Sequence, residues 1–207
     1  IVEKKIAIHT KYAVMVARNT KTQTGGYDAV EMVFEPEANL LDVLVYPARV
    51  SHELHEKINA LALQVSRAFA HIGVLAVEMF TDAAGKLYVN EVAPRPHNSG
   101  HHTIEASICS QFEQHLRCLY GLTPGSARAL QQAVMVNLLG AKNFTGAVWY
   151  EGLEEVLNHP NVYVHLYGKA TTKPFRKMGH ITVCDEDINK ALETAHIIKQ
   201  QIQVKSI

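Results

Sequence analysis

Two apolar runs, residues 75–80 (LAVEMF) and 87–92 (LYVNEV), flank the short polar segment Asp82-Ala83-Ala84-Gly85. This is a hairpin signal, and it commits the middle of the chain to antiparallel pairing. An even-length loop over 82–85 places Glu78 and Glu91 on one face, because strand side chains alternate with period two. Two facing carboxylates repel. Such a pair either keeps one proton or binds a cation, and hard oxygen ligands with phosphate co-ligands suit magnesium. The alternative is a pair of solvent-facing strand glutamates.

The rest of the pattern is α+β. Residues 13–18 (AVMVAR) and 41–46 (LDVLVY) read as strands, separated by the turn-prone stretches 20–28 and 35–39. From Ser51, a fair N-cap, Leu54, Ile58, Leu61, Val65 and Phe69 draw one apolar stripe down a helix that Gly73 can stop. A second helix carries Ile108, Phe112, Leu116 and Leu119 on its buried stripe and closes at Gly121. Thr123-Pro124-Gly125-Ser126 marks the best domain boundary, giving domains 1–122 and 123–207. In the second, 133–139, 162–167 and 180–183 read as strands, and a last helix carries Ile188, Leu192, Ala195 and Ile202. Strands and helices without strict alternation argue against a doubly wound sheet.

Composition narrows the partners. Twenty basic residues balance twenty acidic ones, so no broad field is available to hold nucleic acid or an anionic membrane. With 47% apolar residues the chain can bury one sizeable core or two small ones. Cys109, Cys118 and Cys184 are odd in number and too far apart for a C-x-x-C pair, so they read as reduced thiols of a cytoplasmic protein. No apolar run reaches the roughly 20 residues of a membrane span, and no leader opens the chain. Residues 1–6 already read as a strand or hinge, as expected of a fragment. His52-Glu53-Leu54-His55-Glu56 spaces its histidines three apart, not the four of a helical zinc site, and reads as a polar first turn. His71, His115, His159 and His196 stand alone and read as surface or satisfied core residues.

The chemistry concentrates after Glu91, in Ala93-Pro94-Arg95-Pro96-His97-Asn98-Ser99-Gly100-His101-His102. Two prolines stiffen this segment, and Arg95 and His97 are natural ligands for phosphate or carboxylate oxygens. Together with Glu78-Met79-Phe80, Asn90-Glu91-Val92, Ser110-Gln111-Phe112-Glu113 and His115-Leu116-Arg117, it resembles the signature of the N5-carboxyaminoimidazole ribonucleotide synthetases. The likeness continues through 134–140 (VMVNLLG), 165–169 (HLYGK) and 176–180 (RKMGH), covering nearly the whole chain.

That resemblance implies the C-terminal part of an ATP-grasp domain followed by a small α+β domain, with ATP and magnesium as cofactors. It implies a homodimeric ligase of purine biosynthesis. ATP phosphorylates bicarbonate to carboxyphosphate, whose carboxyl group is captured by the amine of 5-aminoimidazole ribonucleotide. Glu78 and Glu91 would bind metal, with Asn90 and Glu91 beside ATP. Glu3, Lys4, Lys5 and Ile6 would read the adenine. Arg95 and His97 would be catalytic and, with Asn98, would line the ribonucleotide site, and Lys169 and Arg176 would hold its 5′-phosphate from either side of a turn at 171–174. Four positions depart from the pattern. Lys11 stands where a glutamate on the ATP ribose is usual, Phe34 where a histidine is usual, and Lys173 and Phe175 where arginine and glycine are usual. The family's phosphate-contacting lysine and glycine-rich flap have no counterpart here, since Gly25-Gly26 lacks the G-x-x-x-x-G-K pattern. The chain alone is therefore expected to be inactive. A different class of function, a catalytically silent nucleotide-binding or interaction module, would follow if Lys11 and Phe34 abolish ATP contacts.

Overall fold

A computed structural model of the chain describes residues 4–35 and 40–207. In chain order its elements are β1 (Thr10–Arg18), β2 (Thr24–Gly26), β3 (Val30–Glu35), β4 (Leu40–Tyr46), α1 (His52–Phe69), β5 (Gly73–Thr81), β6 (Leu87–Ala93), α2 (Thr103–Ala106) and α3 (Gln111–Leu119). Then come β7 (Gln132–Leu139), β8 (Gly146–Glu151), α4 (Leu153–Leu157), β9 (Val162–Leu166), β10 (Thr171–Thr172), β11 (Lys177–Asp185), α5 (Ile188–Gln201) and β12 (Gln203–Ser206). They form two compact units, residues 1–33 with 45–130 and residues 34–44 with 131–207. The expected α+β class, antiparallel sheets with helices, is what the structure has.

In the first unit β1 is the central strand, antiparallel to β3 and β5, and β5 pairs in turn with β6. All nine residues of β5 are buried, because both faces of the sheet are covered there. One face, Tyr12, Val14, Val16, Leu75, Val77 and Met79, packs on Ile58 and Ala62 of α1. The other, Met15, Ala17, Val74 and Ala76, packs against Cys118 of α3, and this second face continues along the strands to Glu78.

Ser51 caps α1 as expected, its side chain accepting from the Leu54 N–H. The helix ends sooner than Gly73: Ala70 takes the left-handed conformation at φ 49°, and Gly73 begins β5 instead. A side chain at Gly73 would stand 2.5 Å from His115 Nδ1, which accepts the Val74 N–H. Phe69 leaves the expected stripe and is exposed, while Ala62 and Ser66 are buried in its place.

The second helix reverses the expectation. Leu116 is 55% exposed and Leu119 49%, with Ile108 and Phe112 also exposed, while Gln111, Gln114 and Cys118 face inward. The amides are buried because they serve backbone that no strand serves. Gln114 donates to Gly125 O and accepts from Gly125 N, both at 2.8 Å, and Gln111 does the same for His97.

In the second unit β7, β11 and β9 are antiparallel neighbours, and α5 packs Ala191, Ala195 and Ile198 on Val134, Val136 and Ile181. Ile202 caps α5 and lies just beyond its last turn. A separate small sheet, β10–β8–β12, was not anticipated from the sequence, nor were β2, β3 and α4.

Among the four lone histidines, His71 meets Val16 O, His115 takes the Val74 N–H, His159 meets Gln201 and His196 meets Gln200, so each is satisfied. The His52–Glu56 stretch is the polar first turn of α1, with a Glu53–Lys57 ion pair of 2.6 Å.

Candidate active site

Glu78 and Glu91 are direct cross-strand partners, though not for the reason the loop length suggests. Thr81 pairs with Leu87, so the turn spans five residues, and a regular ladder from there would oppose Glu78 to Asn90 and send Glu91 to the other face. A bulge corrects this. Met79 pairs with Val89 but Glu78 with Glu91, so Asn90 is the extra residue that re-aims Glu91.

His97 completes the group. One ligand atom each from Glu78, Glu91 and His97 lies within 4.8 Å of the others, the one such convergence of His, Cys, Asp or Glu among the described residues. Glu78 is buried and Glu91 exposed, so the carboxylates form a floor open on one side. His97 Nδ1 stands 3.8 Å from Glu78 Oε1 and 2.9 Å from Ser99 Oγ.

The loop that carries His97 is built, not slack. Gln111, at the start of α3, accepts from His97 N at 2.8 Å and donates to His97 O at 2.9 Å. Its own N–H donates to Thr103 Oγ1, which donates to Gly100 O. A Cβ on Gly100 would lie 2.5 Å from Gln111 Oε1, so glycine is required where the loop crosses the amide. Ser99 and Gly100 are buried in a 3-10 turn. Arg95 is exposed and donates to Pro96 O within its own loop, and Asn98 is half-buried. Gln111 and Thr103 are positioning residues that residue-type reasoning did not single out; a polar residue on the inward side of an amphipathic helix was the available signal.

Lys11 shares this sheet face. It pairs across to Phe80, and Ala13, two residues on, pairs to Glu78. Burial lowers the pKa of its ammonium group, while the nearby Glu78 carboxylate acts in the opposite sense. Phe80 stacks on Tyr88 with centroids 5.2 Å apart.

Lys4, Lys5 and Ile6 form one wall of a cleft of about 540 Å³ whose other wall is Asp82, Lys86 and Tyr88 of the hairpin turn. These residues, expected to form a strand or hinge, belong to no helix or strand, and β1 begins at Thr10. Glu3 lies outside the described residues.

In the second unit Lys169 Nζ donates to Lys177 O, and Arg176 donates to Thr171 O at 2.8 Å and Oγ1 at 3.1 Å. The reversal between them differs from the expected turn at 171–174. Thr171 and Thr172 form β10, and the turn runs from Lys173 to Arg176 with Phe175 at φ 62°.

Comparison with known proteins gives the geometry its context. Residues 1–112 match the family model of the ATP-grasp domain, and residues 133–194 match that of the phosphoribosylaminoimidazole carboxylase C-terminal domain. A phosphoribosylaminoimidazole carboxylase of Ogataea methanolica is 38% identical over 202 residues, covering 95% of this chain and 36% of that protein. An N5-carboxyaminoimidazole ribonucleotide synthase of Staphylococcus aureus is 37% identical over 194 residues, covering 92% and 48%. Among solved structures, the N5-carboxyaminoimidazole ribonucleotide synthetase of Thermotoga maritima superposes with a TM-score of 0.93 at 43% identity, over 99% of this chain and 55% of that one. An Aspergillus clavatus enzyme solved with ADP and 5-aminoimidazole ribonucleotide gives 0.85 at 33% identity, over 95% and 52%. The chain thus spans between a third and about half the length of the relatives it matches.

Proposed function

The chain belongs to the ATP-grasp family, and from that premise we propose that it forms part of a longer enzyme that carboxylates 5-aminoimidazole ribonucleotide with bicarbonate and ATP, a step of purine biosynthesis. The observation that carries the reading is the convergence of Glu78, Glu91 and His97 beneath a loop clamped by Gln111. Relatives of the same architecture were solved with ADP and with that ribonucleotide.

Glu78 and Glu91 offer the hard oxygen donors that suit magnesium, and the bulge at Asn90 is what brings them together. Glu78 and Glu91 would hold such an ion, which would supply positive charge to offset the negative charge developing in phosphoryl transfer. The chain's own residues would do the rest. Lys4, Lys5 and Ile6 line the cleft assigned to the nucleotide base, with Glu3 preceding them in sequence, and Asn90 would lie beside ATP. Arg95, exposed on its loop, closes on the carboxyphosphate oxygens with its forked N–H groups. His97, held between Glu78 and Ser99, is placed to hold or pass a proton at the reacting amine. Asn98 contacts the ribonucleotide. Within the second unit, Lys169 and Arg176 are oriented by backbone carbonyls and can offer charge-assisted hydrogen bonds to a 5′-phosphate.

Because the chain spans about half of such enzymes, the 207-residue chain alone should release no ADP. Three buried cysteines that form no disulfide agree with a reducing, cytoplasmic setting, and among the described residues no helix is long and apolar enough to cross a membrane. We assign the exposed stripe of α3 to a homodimer contact. Glu113 in its first turn and Arg117 in its last form an ion pair on the exposed side, so a two-fold antiparallel partner would meet opposite charges.

The test is ADP release by the full-length enzyme. It should rise severalfold when bicarbonate and 5-aminoimidazole ribonucleotide are both present. A rate indifferent to the ribonucleotide would refute the substrate assignment.

A further inference from the structure

The carboxylate pair carries a cation within its own sheet. Lys11 lies across from Phe80 on β1, and the neighbouring position on that face is Ala13, directly across from Glu78. Glu78 is in turn across from Glu91. Three charged side chains therefore stand on one face, with only the small side chain of Ala13 between the lysine and the acids. Phe80, stacked on Tyr88, and Met32 of β3 are the cross-strand partners of Lys11 on either side.

Two negative charges and one positive charge leave the cluster with a single net negative charge. A bare divalent ion entering between Glu78 and Glu91 would meet the repulsion of Lys11 in a half-buried setting, where screening is weaker than in water. A nucleotide changes the balance. Its phosphate oxygens can accept from Lys11 and coordinate the ion at the same time.

We propose that Lys11 couples cation binding to nucleotide binding: it weakens the empty carboxylate site for a divalent ion, so that the ion enters with the nucleotide phosphates. The inference rests on the reading of Glu78 and Glu91 as ligands of a divalent cation, and it adds the order in which the components bind.

The experiment measures manganese binding to the nucleotide-free full-length enzyme by electron paramagnetic resonance. Lys11→Met should tighten manganese binding about tenfold or more, the effect of removing one unit charge a side-chain length from a divalent ion. Lys11→Arg, which keeps the charge, should behave as the wild type. Adding a non-hydrolysable ATP analogue should tighten manganese binding more in the wild type than in Lys11→Met. Unchanged manganese affinity in Lys11→Met, with binding still lost on Glu91→Gln, would overturn the role of Lys11 and leave the metal site standing. If Glu91→Gln in the Lys11→Met background left manganese affinity unchanged, the metal site itself would fall, and the proposal with it.

Discussion

His102 follows the loop that carries His97 and is fully buried, its ring centroid 4.3 Å from that of Tyr46. Burial, with a smaller contribution from neighbouring His101, lowers its pKa from 6.5 to about 3. The folded chain keeps this ring neutral at a pH where the unfolded chain protonates it. Its contribution to stability is complete above about pH 6.5 and is lost as pH falls toward about 3, by about 1.4 kcal/mol per unit. Urea titrations at about pH 7 and about pH 5 should therefore show the wild type losing about 2 kcal/mol more than His102→Gln. Equal losses would mean that the ring is protonated in the folded state. His102 stood in the sequence as one more histidine of a polar segment. Only burial among Tyr46, Ser99 and Thr103 gives it this behaviour, and burial of a single ring leaves no periodic trace.

At the scale of elements, the segments legible in the sequence are those whose apolar residues face a core. The hairpin, β1 and most of α1 are of this kind, as are β7 and β11. The orientation of α3 was not legible, because Gln111 and Gln114 are buried as hydrogen-bonding substitutes for missing strand partners. The bulge at Asn90 has no marker of its own: Asn90 is neither glycine nor proline, and the facing of Glu78 and Glu91 was inferred through a loop one residue too short. Lys169 and Arg176 were visible as cations near a turn, but the strand pairing of Thr171 and Thr172 depends on a distant partner, β8. The proposed homodimer contact places the exposed apolar stripe of α3 against a second copy, since exposed leucines spaced along one helix face cost solubility without contributing to the fold. Leu116→Glu in the full-length enzyme should convert a dimer to a monomer in sedimentation velocity while leaving the melting transition of each subunit cooperative. A wild-type enzyme that sediments as a monomer would contradict the assignment of this face.

At the scale of the whole molecule, one chain carries matches to two families, the ATP-grasp domain and the phosphoribosylaminoimidazole carboxylase C-terminal domain. The first unit holds the acidic floor, the clamped loop and the cleft lined by Lys4, Lys5 and Ile6, and within the second unit Lys169 and Arg176 are held by backbone carbonyls. Most of this depends on one local event, the bulge that turns Glu91 toward Glu78. The most direct measurement is ribonucleotide-dependent ADP release by full-length Glu91→Gln across a magnesium titration. The substitution removes a negative charge from the carboxylate pair while keeping the side chain's size. The account predicts a loss of at least about a hundredfold that added magnesium does not restore, because a neutral amide is a poor ligand for a hard cation. Turnover near the wild-type rate at any magnesium concentration would contradict it.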